Sequence, residues 1–162
     1  MKLPHLRQFG TVCLCLAAVV VCTLFGCGSQ AASEPDNFRG VKWGAEVSSV
    51  SGLNQIASEG DLVFYEKSDD QLQIEEVRLD QVIYGFHKGR FYIGMVYFPA
   101  AGFKRIQEIM TRKLGKPSNP DNTPSKLIWD SDNVSVLLTQ SDSSGRLVYM
   151  YKPIQLEVEI KK

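Results

Sequence analysis

The side chains able to do chemistry are thiols, imidazoles, paired carboxylates and clustered hydroxyls, and they are spread unevenly along the chain. All four cysteines, Cys13, Cys15, Cys22 and Cys27, fall at or before residue 27. The two histidines are His5 and His87. A zinc site or a proton relay needs several converging ligands, which a lone His87 does not supply. Beside Lys88-Gly89 it reads as an exposed turn residue. The acidic pairs Asp69-Asp70, Glu75-Glu76 and Asp130/Asp132 share acid–base work only where the fold makes two carboxylates face each other. Asp130-Ser131-Asp132-Asn133 begins like a calcium loop, but Val134 occupies a ligand position and neither the glycine nor the closing glutamate follows. A hairpin turn explains it. Ser48, Ser49 and Ser51 lack a Gly-x-Ser-x-Gly elbow and read as helix-end and surface residues. No enzyme, metal site or cofactor is expected from these residues.

Cys27 is different because of what precedes it. Lys2 and Arg7 give a positive start, Thr11–Phe25 is an uncharged apolar run, and Gly26 is small. That order describes a secretory signal peptide, and the run is shorter than the roughly 20 apolar residues of a membrane span. Leu24-Phe25-Gly26-Cys27 resembles the lipobox of bacterial lipoproteins. The resemblance implies cleavage between Gly26 and Cys27 and a diacylglycerol on the Cys27 thiol, as in other palmitate-bearing lipoproteins. In Gram-negative lipoproteins an Asp after the cysteine signals retention in the inner membrane. Gly28 stands there, which implies an outer-membrane anchor facing the periplasm. Two alternatives remain open: a cut at Ser29-Gln30-Ala31 releasing a soluble protein, or an uncleaved anchor.

Residues 1–26 are therefore expected to be a signal peptide, 27–37 a lipidated cysteine with a flexible tether, and 38–162 a single envelope domain. Removing 26 of 162 residues leaves 136, enough for one hydrophobic core. Only Cys27 survives processing, so no disulfide framework is possible. Losing Lys2 and Arg7 leaves 16 basic against 18 acidic side chains. That balance speaks against a nucleic-acid partner and against a polybasic membrane patch. Gly28–Asn37 is small and polar and, fully extended, reaches about 35 Å.

Several elements are needed to hold this domain. Phe38–Gly44 reads as a short strand, and Val47, Val50 and Leu53 have the spacing of a short helix. Gly52 and Gly60 bracket an expected loop, followed by a strand at Leu62–Glu66 and a polar loop at Lys67–Gln73. Val77–Phe86 and Arg90–Phe98 form an expected hairpin across His87-Lys88-Gly89. Phe103, Ile106, Met110 and Leu114, with Ile109 beside them, mark a helix that Gly115 caps and Pro117 stops. Strands are expected at Lys126–Asp130, Val134–Thr139 and Arg146–Lys152. The alternation of Ile154, Leu156, Val158 and Ile160 with polar residues predicts a further strand. The order suggests a weak tandem α-β-β-β repeat over 45–98 and 102–152. The fold class is α+β: an antiparallel sheet with two helices on one face.

Phe38-Arg39-Gly40, Lys42-Trp43-Gly44, Gly85-Phe86 and Leu114-Gly115-x-Pro117 together resemble a group of uncharacterised bacterial lipoproteins and exported proteins. The helix–sheet order and the Leu-Gly-x-Pro ending are also similar to SmpA/OmlA-type outer-membrane lipoproteins and the β-lactamase-inhibitor-like fold. That second likeness implies protein binding through a sheet. In Arg90–Phe98, alternation places Phe91, Ile93, Met95 and Tyr97 on one face, with Tyr92, Gly94, Val96 and Phe98 on the other. Leu147, Tyr149 and Tyr151 likewise oppose Val148 and Met150. A sheet with one solvated face alternates apolar and polar residues more cleanly than this. Either both faces are covered, or an aromatic face carrying Tyr92, Tyr97, Tyr149 and Tyr151 meets an envelope protein partner. The expected function is a lipid-anchored, non-enzymatic protein-binding or assembly module. The alternative is a periplasmic protein binding a small ligand, such as a lipid or peptidoglycan fragment.

Overall fold

The computed structural model describes residues 34–118 and 125–160. The expected signal peptide, Gly26, Cys27 and most of the tether lie outside the described residues. Strands β1 (Asn37–Phe38) and β2 (Val41–Lys42) form a tight hairpin where one strand was expected. Arg39 at its tip has φ +50°, a left-handed conformation uncommon for a residue with a Cβ.

The expected helix near Val47 is only a 3-10 turn, Val47–Ser49. Leu53 belongs instead to β3 (Leu53–Glu59), so Gly52 and Gly60 bracket a strand rather than a loop. Its polar residues hid it, and the reason is positional. β3 is a sheet edge with six of its seven residues exposed, and a bulge between Gln55 and Ala57 interrupts its ladder. β4 (Leu62–Lys67) follows. The expected long strand from Val77 divides into β6 (Val77–Arg78), paired with β5 (Gln73–Ile74), and β7 (Gln81–His87). β7 and β8 (Arg90–Pro99) form the expected hairpin.

Helix α1 (Phe103–Leu114) buries Phe103, Ile106, Ile109 and Met110 and ends at Gly115, whose φ of +81° suits a glycine cap. β9 (Lys126–Asp130), β10 (Val134–Gln140) and β11 (Ser144–Tyr151) are strands as expected. Seven strands make the main antiparallel sheet in the order β3-β4-β7-β8-β11-β10-β9. The fold is thus a mostly antiparallel sheet with two helices, an α+β domain.

The segment Ile154–Ile160 corrects the sequence reading. It is mostly helix α2 (Lys152–Glu159), with Pro153 in its first turn. Helical spacing puts Ile154 and Val158 on one side and turns Leu156 away. Ile154 is 2% exposed, whereas Leu156 is 56% exposed and Ile160, just past the helix, 83%.

The core lies on one sheet face, called inner here. Val82, Tyr84 and Phe86 of β7, Val96 and Phe98 of β8, Leu147 of β11 and Leu138 of β10 meet α1 there. Asp130 and Ser135 alternate with the core residues Trp129 and Val136, and so belong to the outer face. α2 borders that face: Lys152 pairs with Asp130 at 2.9 Å, and Gln155 and Leu156 line a recess with Asp130 and Ser135. Of the two helices expected, only α1 is found where it was placed, the first being a 3-10 turn and the second helix of the fold being α2.

Candidate functional site

A bulge in β8 reorders the aromatic residues. Gly85 pairs with Ile93 but Phe86 pairs with Phe91, so Tyr92 is the extra residue. Phe91 consequently joins the inner core, and Tyr92 turns outward beside His87. Strict alternation had put Phe91 with Ile93, which the bulge overturns.

The four tyrosines do not share one face. Tyr92 is outward but buried at 6% exposure, and burial pushes its hydroxyl above the ordinary tyrosine range. Tyr97 is outward and half-buried, paired across the ladder with Gln81 and Arg146. Tyr149 and Tyr151 point inward and pack against the core. Tyr151 stacks on Trp43 at 6.0 Å, and Trp43 stacks on Phe91 at 5.0 Å. His87 is also corrected: it is the last residue of β7 and 3% exposed, not an exposed turn residue. Its Nε2 lies 4.0 Å from Asp61, and its Nδ1 has no hydrogen-bond partner among the described residues.

Most of the suspected carboxylates are engaged by cations. Lys67 lies 2.7 Å from Asp69, and that hydrogen bond lowers the Asp69 carboxyl below its usual range. Arg105 contacts both Glu75 and Glu76, and Arg112 also reaches Glu75. A backbone hydrogen bond first, then Arg105, lowers Glu76. Ser49 Oγ donates to the Glu46 carbonyl 2.6 Å away. Carboxylates held ionised in pairs are poor general acids. Among the described residues no group of three or more His, Cys, Asp or Glu could hold a metal ion.

Two arrangements stand out instead. The first is an apolar row across the outer face. Ile83 of β7 pairs with Met95 of β8, Met95 with Val148 of β11, Val148 with Leu137 of β10, and Leu137 with Ile128 of β9. Five strands at about 4.8 Å spacing make this row about 19 Å across. Ile83, Met95, Leu137 and Ile128 are half-buried, and Val148 is buried. The next row continues it with Phe64, Gly85, Ile93 and Met150. Beyond Met150 the same row turns polar at Ser135 and Asp130, beside α2. Two ion pairs tie α2 to the sheet, Arg90 with Glu157 and Lys152 with Asp130.

The second is a cavity of about 430 Å³ between the β1–β2 hairpin, α1 and the inner face. Phe38, Ile74, Val96, Met110 and Leu114 form its apolar walls. Gly94 lets the Phe38 ring lie against the sheet, since a Cβ there would meet that ring at 2.5 Å. Arg39, Lys113 and Tyr149 bring polar atoms to it. Arg39 Nε and Nη2 both reach Asp70 Oδ1 at 2.8 Å, and Tyr84 donates to Asp70 Oδ2 at 2.6 Å. Burial, then that hydrogen bond, raises the Tyr84 hydroxyl well above its ordinary range. The Tyr149 hydroxyl donates to Met110 Sδ at 3.1 Å, and burial pushes it up to about 12.

The outer row was half legible: two-sided apolar strands were the signal, but strand order was needed to join them. The Arg39–Asp70–Tyr84 link joins residues up to 45 positions apart, and no spacing announced it. No family model, no curated protein and no solved structure matches the chain. No helix among the described residues is long and apolar enough to cross a membrane.

Proposed function

We propose that the protein is a lipid-anchored envelope module, held by Cys27 and docking another protein on its outer sheet face. The observation that carries the docking is the continuous apolar row Ile83–Met95–Leu137–Ile128, whose side chains are half-buried rather than sealed among the described residues. A contiguous apolar patch of this kind on a folded domain favours a partner. A partner surface that is apolar at its centre fits this row, since an unpaired charge buried there is costly. The anchor rests on Leu24-Phe25-Gly26-Cys27, and the outer membrane on Gly28.

Each half has its own experiment. Metabolic labelling with a fatty-acid precursor should mark the wild type and leave Cys27→Ser unmarked. An unmarked wild type, or equal label on both, sinks the anchor. For docking, protein extracted in mild detergent should migrate as a complex, and Met95→Glu with Leu137→Glu should migrate as a folded monomer. Unchanged migration of that variant sinks the docking face.

A further inference from the structure

The inner cavity is separate from the outer face, and its chemistry is different. Its walls are apolar, and the residues lining it include two cations and no acid. Arg39 is held before any ligand arrives: Asp70 fixes its Nε and Nη2, Tyr84 fixes Asp70, and Nη2 also donates to the Gln71 carbonyl. Its side chain is only 19% exposed. Its position is set by the two-residue Arg39-Gly40 hairpin loop, whose positive φ values of +50° and +86° are those the tight turn requires. Lys113 is exposed on α1 and has no ion pair among the described residues. The Tyr149 hydroxyl stays protonated through neutral pH and donates only to a thioether, a weak acceptor. A carboxylate would take that donor in exchange. A volume of about 430 Å³ falls in the range of small-molecule sites.

We infer that this cavity binds a free fatty-acid-class anion. One apolar chain lies along Phe38, Val96, Met110 and Leu114, and the carboxylate faces Arg39 and Lys113. Charge complementarity chooses this occupant over a neutral or cationic amphiphile.

The test uses the chain produced without residues 1–27, which keeps every core residue and removes the protein's own lipid as a competing source. The probe is cis-parinaric acid, a fluorescent fatty acid, titrated in detergent-free buffer. Saturable binding with one site per chain is expected. Lys113→Glu, on an exposed helix position, should weaken it about tenfold, the scale of one charge-assisted contact. Leu114→Trp, which fills the cavity, should abolish it while far-ultraviolet circular dichroism stays unchanged. Dodecyltrimethylammonium should fail to displace the probe, and dodecanoate should displace it. Three results would each overturn the inference: no saturable binding, equal binding by Lys113→Glu, or displacement by the cation as readily as by the anion. None of them bears on the outer face.

Discussion

At the scale of single residues, Gly94 and Tyr149 carry the sharpest consequences. Phe38 occupies the space a Cβ at Gly94 would need. Gly94→Ala must move that ring, and overpacking of this kind costs about 1–3 kcal/mol. Urea unfolding of the variant should show a lower midpoint at an unchanged slope. An unchanged midpoint would mean that Phe38 yields freely. Tyr149 gives a pH signature. Its folded value of about 12 stands above the ordinary 10.0, so the unfolded chain loses this proton first as pH rises. Its contribution is intact below pH 10 and falls away between 10 and 12, by at most about 1.4 kcal/mol per pH unit. Stability measured over that window should fall less steeply in Tyr149→Phe, and equal slopes would contradict the buried hydroxyl. Neither residue was legible as special. Tyr149 had been grouped with Tyr92 on one aromatic face, and the group dissolves because a bulge at Tyr92 and opposite strand faces decide orientation.

At the scale of elements, patterning was readable where a segment packs on one side and misleading where it does not. α1 showed its stripe and its Gly115 stop, and the β7–β8 hairpin showed its turn. β3 failed because an edge strand with exposed side chains has no apolar signature. α2 failed because Ile154, Leu156, Val158 and Ile160 suit a strand by alternation, yet Pro153 starts a helix that buries only Ile154 fully. Truncation of a well-buried isoleucine costs about 2–5 kcal/mol. Ile154→Ala should therefore lower stability by that amount in chemical denaturation. Leu156→Ala, at an exposed position, should change it by less than about 0.5 kcal/mol. Equal losses from the two would mean that α2 is not docked through Ile154.

At the scale of the whole molecule, the antiparallel α+β class was legible from consecutive hairpins, whereas the strand order was not. Only that order places β8 against β11 and joins Ile83, Met95, Val148, Leu137 and Ile128 into one row. The chain then presents two distinct faces: an inner one packed against α1 and carrying the cavity, and an outer one bordered by α2. The proposed docking sets this outer row against another protein of the envelope. A photocrosslinking amino acid at Met95 in living cells tests it most directly, with Lys104 on the exposed side of α1 as the comparison. One discrete crosslinked product is expected from Met95, abolished by Leu137→Glu, and none from Lys104. No product at Met95, or the same product from both positions, would contradict it.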